Sequence, residues 1–433
     1  MSSSDTQGST SSDSQGGASG AIRIEDLQDP QLTPLQKSIR EAAQKIAVHF
    51  TEDAVLGAAR EQTGLDDFGP DDFRERLAVW LQALEEDVDL GAVGRVGAFR
   101  DCVRYAANRL RLEDLVRRHP EILDEEVRRP IIVAGLPRSG TTHLLNLIAA
   151  DTRLRSLPYW ESLEPIPVPG EAPGPDGVDP RLARCRRSYE MQIQLSPLLK
   201  NMHDMSPEHV HEEIELQCLD FGSYELEWIA TVPRWRDYYL SHDQTPQYAY
   251  LRKALQAVQW LSGKERWVLK SPQHMEQLIP LLETFPDATI AITHRDPVSV
   301  IASAITMLSY GDRIRRSKVD PPAVAAYWID RVERLLRSCV RDRDAIPAEQ
   351  SMDVLFHEFM SDDIATVERI YELAGLEMTP AARVELDAYV KTNPRGKHGR
   401  IIYDLKADFG VDPDELRRRF DFYFERFPVR AER

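Results

Sequence analysis

A loop bounded by two glycines joins a β-branched apolar segment to a helix-like apolar segment within residues 129–148. The loop reads GLPRSGTT, and Gly135 and Gly140 have the separation of the phosphate-binding pattern G-x-x-x-x-G-K-[ST], although Thr141 stands at the lysine position. In a strand–loop–helix, the loop N–H groups and the positive end of the helix dipole favour a phosphate-like anion. Arg138 would supply the charge of the missing lysine. Hydroxyl donors in the loop are Ser139, Thr141 and Thr142. The alternative interpretation is a helix start at which Ser and Thr merely cap backbone donors.

The ends of two other predicted strands carry cations. They read LKSP and THRDP, so Lys270 and Arg295 stand where a kinase or NTPase would hold magnesium with an aspartate, and Asp296 is the one acidic candidate. Several cations without an obvious metal ligand suit a nucleotide whose transferred group carries less charge than a γ-phosphoryl group. We therefore expect no metal.

At this point the residues resemble a known family. GLPRSGTT resembles the 5′-phosphosulfate loop of sulfotransferases, and HRDPVSVIAS (294–303) resembles their 3′-phosphate motif. The segments TGLDDFG (63–69), WESLEP (160–165), WVLKSPQH (267–274) and HGRIIYDL (398–405) are similar to the bacterial branch of that family. The resemblance implies a P-loop-like α/β fold that binds 3′-phosphoadenosine 5′-phosphosulfate (PAPS) and moves its sulfuryl group without a metal. Our leading hypothesis is transfer to a hydroxyl of a small hydrophobic acceptor.

The resemblance also implies roles for particular residues. The 5′-phosphosulfate would be held by Arg138, Ser139, Gly140, Thr141 and Thr142, with Arg138 stabilising the departing phosphate. The 3′-phosphate would be held by Arg295 and Ser303, which stand eight positions apart; a strand-end salt bridge is the alternative for Arg295. The basic segment NPRGKHGR (393–400) departs from the family's C-terminal loop, so Arg395, Lys397 and Arg400 are either cofactor ligands or a solvated basic turn. His143 replaces an aromatic residue common in the family and leaves the adenine-stacking partner open.

Three candidates could take the proton of the acceptor hydroxyl. The position of Glu161 is similar to that of the catalytic glutamate in tyrosylprotein and heparan sulfotransferases. The alternative interpretation of Glu161 is a carboxylate at a helix start that interacts with the helix dipole. His274 follows Lys270 by four residues rather than the two of cytosolic sulfotransferases, and Lys270 would contact the sulfuryl or bridging oxygen or form an ion pair. The third candidate is the segment HDMSPEHVHEEIELQ (203–217), in which we expect His211, Glu212 and Glu215 to share a helix face. This cluster could belong to an acceptor pocket, to a solvated helix face or structural ion pair, or to a metal site.

Two other functions remain open from the residues. A P-loop nucleotide-dependent phosphotransferase would use the same loop for ATP or GTP. An inactive nucleotide-binding homologue would bind the nucleotide without transferring a group.

The composition narrows the cellular setting and partners. The 433 residues carry a net charge of −17, which argues against nonspecific binding to nucleic acid or anionic membranes. No apolar run approaches the roughly 18 residues of a membrane helix, so we expect no stable membrane insertion. The four cysteines form no C-x-x-C pair, and a reducing cytoplasm is the simplest location. The sequence is compatible with a homodimer.

The elements that must position these residues form an α/β pattern. Short apolar strands are predicted at 130–135, 267–271, 288–293 and 352–357, separated by amphipathic helices. This alternation predicts a parallel sheet flanked by helices, with ligands at the carboxyl ends of the strands.

The predicted organisation has three parts. Residues 1–22 are a disordered tail, residues 23–125 are an N-terminal helical region packing on the core, and residues 126–430 are the α/β domain with a helical acceptor-site insertion at about 181–262. We expect one helical stripe in the first part, formed by Leu35, Ile39, Ala42, Ala43, Ile46 and Phe50, and a terminal helix capped by Asp412 with Leu416, Phe420 and Phe424 on one face. Aromatic residues that would line an acceptor pocket or pack between helices of the insertion are Trp228, Trp235, Tyr238, Tyr239, Tyr248, Tyr250 and Trp260.

Overall fold

The computed structural model describes residues 21–263, 266–394 and 399–432. The elements before the glycine-bounded loop are β1 (Ala21–Ile22), α1 (Pro34–Ala43), α2 (Glu52–Thr63), α3 (Phe73–Glu86), α4 (Ala92–Arg118) and β2 (Ile131–Gly135). The loop leads into α5 (Thr141–Ala149), β3 (Leu157–Pro158), α6 (Tyr159–Leu163), α7 (Pro180–Leu195), α8 (Leu199–Met202), β4 (Val210–His211), α9 (Ile214–Gln217), α10 (Glu225–Ile229), α11 (Pro233–Ser241) and α12 (Thr245–Ser262).

The second half of the chain completes the sheet and its outer helices. Its elements are β5 (Val268–Ser271), α13 (Leu278–Thr284), β6 (Thr289–His294), α14 (Pro297–Arg315), α15 (Pro321–Asp342), β7 (Ser351–Leu355), α16 (Phe356–Phe359), α17 (Asp363–Ala374), α18 (Pro380–Thr392), β8 (Arg400–Ile401), α19 (Leu405–Phe409), α20 (Pro413–Arg419) and α21 (Asp421–Arg426).

The central sheet has the strand order β5-β2-β6-β7, and every neighbouring pair is parallel. On β2, Ile131 and Val133 face a hydrophobic cluster that includes residues of α5 and α17, whereas Ile132 packs in a second cluster with α12, α14 and α15. Both faces of the sheet are covered, which explains why its strands are almost continuously apolar. The predicted α/β class with a parallel sheet is confirmed, and all four predicted strands form within one or two residues of their predicted ends.

The helices α2, α3 and α4 share a third hydrophobic cluster with residues from Cys218 to Tyr239. A buried ion pair between Arg109 and Asp220, with a distance of 2.7 Å, joins the same two parts of the chain. The early helices therefore pack on the segment that precedes α12.

The predicted apolar stripe of the first helix is wrong at both ends. Thr33 and Gln36 form a reciprocal capping box at the start of α1, and the helix ends at Ala43. Leu35 is 37% exposed and Ile46 is 49% exposed, because Leu35 faces solvent and Ile46 lies beyond the helix.

The two ends of the described chain differ in detail from the sequence prediction. Ala21 and Ile22, placed in the tail from sequence, pair in parallel with residues 400 and 401. Asp412 caps the predicted terminal helix by accepting hydrogen bonds from two backbone N–H groups, but that helix breaks at Phe420 into α20 and α21. Phe420 is fully buried and anchors the break.

Candidate active site

The glycine-bounded loop between β2 and α5 takes the left-handed conformation at two positions. Gly140, directly before α5, has a φ of 89°, and Arg138 has a φ of 69°, which is uncommon for a residue with a side chain. A Cβ at Gly135 would overlap Oγ1 of Thr293 on β6, so only glycine lets β2 approach β6 this closely. Ser139 donates a 2.6 Å hydrogen bond to a loop carbonyl and lies 2.7 Å from Oγ1 of Thr293. The loop is therefore fixed against the sheet before any ligand binds.

Arg138 connects the loop with the second predicted anion motif. Its Nε donates to Ser303 Oγ on α14 at 3.0 Å, and Arg295, directly after β6, donates from Nη1 to the Arg138 carbonyl at 2.6 Å. Burial and the neighbouring charge of Arg295 lower the pKa of Arg138, and Tyr403 opposes that shift. The structure thus brings Arg138, Arg295 and Ser303 together, although Arg138 and Ser303 are 165 positions apart.

A carboxylate accepts two further hydrogen bonds from the Arg295 guanidinium. Its Nε and Nη2 donate to the two carboxyl oxygens of Glu432 at 2.6 and 2.7 Å, and its guanidinium lies 4.0 Å from the ring centroid of Phe356. Asp296, the one magnesium candidate, is fully buried, caps α14 through Val298 N and accepts from the Glu432 N–H. Glu432 was not recognised from the sequence, where it is one of many carboxylates without a motif.

A cavity of about 490 Å³ extends from the loop into the helical part of the structure. Arg138, Thr141, Thr142 and Lys270 line its loop end. The other walls are mainly apolar and include Met191, Leu195, Leu199, Met205, Ile214, Trp228, Met307 and Ile314. Of the aromatic residues singled out from the sequence, Trp228 reaches this cavity, whereas Trp235 and Tyr239 stack on each other in the core with ring centroids 5.2 Å apart.

Lys270 and Glu212 meet at the loop end of the cavity. The Lys270 ammonium pairs with the Glu212 carboxylate and lies 3.5 Å from Thr142 Oγ1 on α5. Burial raises the pKa of Glu212, and the Lys270 charge opposes that shift. Among the described residues, Glu212 and Glu225 are the carboxylates that line the cavity, and Glu212 is the one paired with Lys270.

The other two predicted catalytic residues lie away from the cavity lining. Glu161 is buried in an ion pair with Arg155, whose guanidinium stacks over Trp267. His274 is fully buried, with Nδ1 2.8 Å from the Tyr248 hydroxyl and Nε2 beside Glu213. Their catalytic roles stay predictions that the geometry does not favour.

The segment 203–217 is not the single helix that the sequence predicted. His211 belongs to β4, which pairs antiparallel with β3, and α9 begins only at Ile214. His211 and Glu212 therefore reach the cavity, while Glu215 pairs with Arg104 at 3.1 Å. Glu213 points the other way, to His274 and to the Lys270 N–H at 2.7 Å, and so fixes the backbone of Lys270.

Other predicted ligands fall elsewhere. Arg395 and Lys397 lie outside the described residues, as does the side chain of Arg400. His143 lies 3.1 Å from Asp363 and packs beside Phe359. Among the described residues, no three His, Cys, Asp or Glu side chains are arranged to hold a metal ion. Within the same ranges, no helix has both the length and the apolar character of a membrane span.

Comparison with known proteins identifies the family. Residues 130–380, more than half of the chain, match the sulfotransferase family, and the chain belongs to that family. It is similar to the sulfotransferase STF1 from Mycobacterium tuberculosis, with 28% identity and a TM-score of 0.75 over 86% of this chain and 98% of that one. Sulfotransferase STF9 from Mycobacterium avium gives 25% identity and a TM-score of 0.77 over 88% of this chain and 98% of its own. No curated protein matches the sequence. The protein is a sulfotransferase with an α/β fold.

Proposed function

We propose that the enzyme uses PAPS as the sulfuryl donor and transfers the group to a hydroxyl of a small, largely hydrophobic molecule. The observation that carries the proposal is the junction at Arg138, whose side chain donates to Ser303 and whose carbonyl accepts from Arg295, so that the loop before α5 and the second predicted anion motif meet. Two anion sites joined in this way suit a nucleotide with phosphates at both its 5′ and 3′ ends.

The residues present fit such a donor. The loop N–H groups and the N-terminus of α5, with Ser139, Thr141 and Thr142, would hold the 5′-phosphosulfate. Arg295 donates two hydrogen bonds to the two oxygens of the Glu432 carboxylate, and a phosphate can accept the same pair of hydrogen bonds. Glu432 would then have to give up Arg295 when the 3′-phosphate binds.

The donor supplies the sulfuryl group and leaves as the bisphosphate. Glu212 would take the proton of the acceptor hydroxyl on a carboxyl oxygen, since it is the buried carboxylate at the junction of loop and cavity. Lys270, released from Glu212, would neutralise charge on the sulfuryl oxygens. Arg138 would stabilise the negative charge that develops on the departing phosphate. Glu213, which accepts from the Lys270 N–H and lies beside His274, would hold Lys270 in place, and His274 would act through Glu213 rather than contact the acceptor.

The apolar walls support a hydrophobic acceptor. A cavity of about 490 Å³ lies within the usual range of roughly 300 to 1,000 Å³ for small-molecule sites. Its apolar side chains would bury the body of the acceptor, while Glu212 and Lys270 would orient the hydroxyl at the loop end.

Calorimetric titration tests the donor. We expect 3′-phosphoadenosine 5′-phosphate to bind in the presence of EDTA. Magnesium-dependent ATP binding without binding of the bisphosphate would instead support the phosphotransferase.

Mass spectrometry tests transfer itself. Enzyme and PAPS incubated with a panel of phenols, alcohols, lipids and glycans should give a sulfated product, detected as the mass gain of one SO3. Bisphosphate binding without any sulfated product across the panel would support the inactive homologue. The cytoplasmic location and the homodimer stay predictions from the sequence.

A further inference from the structure

Two titratable side chains that line the cavity have no partner for their polar atoms. Neither carboxyl oxygen of the half-buried Glu225 and neither ring nitrogen of His211 makes a hydrogen bond or ion pair with the described residues. His211 is only 7% exposed, and its Nδ1 is fully buried without a partner among those residues. Buried polar groups are normally paired. A buried unpaired imidazole and an unpaired carboxylate that line the same cavity therefore indicate that the ligand supplies their partners.

Glu225 is the unmatched member of a group of three glutamates, of which Glu212 and Glu215 are buried and Glu225 is half-buried. Glu212 is paired with Lys270, and Glu215 is paired with Arg104. Glu225 forms no ion pair with a described residue. Burial, and then the charges of Glu215, Glu212 and Asp101, raise its pKa well above the usual value, while the charge of Arg104 opposes that shift. A cationic ligand group would supply the missing charge and remove the repulsion.

The surroundings of Glu225 also suit a cation. Trp228 lies three residues later on α10 and lines the same cavity, so an indole ring and a carboxylate belong to one wall, a combination that attracts ammonium groups. Arg315, which also borders the cavity, lies 3.5 Å from Asp312, a carboxylate that Arg316 also contacts at 2.8 Å, and its Nη1 donates to the Trp228 carbonyl at 3.0 Å.

His211, which lines the same cavity, is a neutral group. Burial lowers its pKa well below the usual value, and the neighbouring His209 and His203 lower it further. A neutral imidazole has a lone pair that can accept a hydrogen bond from an N–H of the ligand.

We propose that the natural acceptor is an amino alcohol or aminophenol: an apolar body with the reacting hydroxyl at Glu212 and a basic amine held by Glu225 beside Trp228, with His211 accepting a hydrogen bond from the ligand elsewhere on the cavity lining. The inference rests on the proposed function, whose acceptor it specifies. Glu225 is then a specificity residue that takes no part in the proton transfer.

Matched phenols test this recognition by binding alone. Enzyme saturated with 3′-phosphoadenosine 5′-phosphate is titrated calorimetrically with para-substituted phenols whose alkyl chains of two to five carbons end in methyl, hydroxyl or ammonium. At one chain length or more, we expect the ammonium compound to bind about tenfold tighter than the methyl compound, the size of one charge-assisted contact. In Glu225→Gln the preference should disappear, whereas Glu349→Gln, the same change at an exposed carboxylate, should keep it.

Proton release gives a second readout. Titration near pH 6 in buffers of different ionisation enthalpy should show a proton leaving the wild-type enzyme when the amine binds, because Glu225 must ionise, and none leaving Glu225→Gln. If that variant does not fold, Trp228→Leu should weaken binding of the ammonium series more than that of the methyl series.

Several results would overturn the inference. They are a lack of ammonium preference at every chain length, a preference that survives Glu225→Gln, stronger binding of the hydroxyl series than of the ammonium series, or no binding by any of the three. Because binding is measured without transfer, ammonium selectivity without sulfated product would contradict only the proposed function. Sulfation of the methyl series without ammonium selectivity would contradict only the acceptor class.

Discussion

Glu432→Gln should tighten nucleotide binding, because Glu432 holds the guanidinium that the 3′-phosphate needs. The side chains of Arg295 and Glu432 are 22% and 33% exposed, so their ion pair is partly screened by solvent. Such a pair contributes on the order of 1 kcal/mol. Removing the carboxylate should therefore strengthen binding of 3′-phosphoadenosine 5′-phosphate by about 3- to 5-fold, since about 1.4 kcal/mol is a factor of ten.

The same reasoning fixes the effect of Arg295→Ala. A charge-assisted contact to the phosphate contributes about 1.5 to 3 kcal/mol. The wild-type enzyme must first break the Glu432 pair, so the measured loss should be smaller, roughly 0.5 to 2 kcal/mol or 2- to 30-fold. In a Glu432→Gln background, the loss on Arg295→Ala should return to the full value of about 1.5 to 3 kcal/mol. The double-mutant cycle should thus give a coupling of about 1 kcal/mol.

Isothermal titration with the bisphosphate is the assay, and two controls separate competition from a general charge effect. Adenosine 5′-phosphate, which lacks the 3′-phosphate, should bind Glu432→Gln and the wild type with the same affinity. Glu425→Gln, an exposed carboxylate on α21, should change neither affinity. An unchanged or weaker bisphosphate complex in Glu432→Gln, or an additive cycle, would refute the competition between Glu432 and the phosphate.

Three further changes test the catalytic base, the loop and Glu225. Glu212→Gln should lower turnover by ~10²- to 10⁴-fold in a sulfation assay while bisphosphate binding stays intact, whereas a loss confined to Glu161→Gln would return the base to Glu161. Gly135→Ala should cost about 1 to 3 kcal/mol of unfolding free energy, since its Cβ would overlap Thr293, and an unchanged denaturant midpoint would contradict that packing. The raised pKa of Glu225 means that the folded state keeps a proton that the unfolded state loses above its ordinary pKa, so stability falls as the pH rises from there through the folded pKa. Glu225→Gln should therefore gain melting temperature relative to the wild type between pH 5 and pH 8, and parallel curves would show that Glu225 titrates normally.

The phosphate loop and the sheet strands could be predicted because their signals are local. The path from β2 into α5 depends on Gly135, Gly140 and the hydroxyl residues between them, all within ten positions of the chain. The strands could be found because a strand covered on both faces must be apolar at nearly every position. The strand order β5-β2-β6-β7 leaves no such local trace, since it depends on which helices cross which face.

The choice among the carboxylates required the tertiary structure. Glu161 and Glu212 follow the paired strands β3 and β4, in which Leu157 stands opposite His211. Glu161 forms an ion pair with Arg155, whereas Glu212 forms one with Lys270 and lines the cavity. The two carboxylates differ because Lys270 lies far from Glu212 in the sequence and the local pattern does not show the pairing. The helix predicted for 203–217 was wrong for the same reason, because pairing with β3 replaces the helical hydrogen bonds around His211.

The α/β class, the loop and the second cationic motif could be predicted from the sequence alone, because each depends on neighbouring residues along the chain. The folded chain was needed to show that Arg138 contacts both predicted anion motifs, that Glu432 pairs with Arg295, and that Glu225 lines the cavity without an ion pair to a described residue. These are contacts between residues far apart in sequence, and their energies depend on burial and charge that only the folded chain creates.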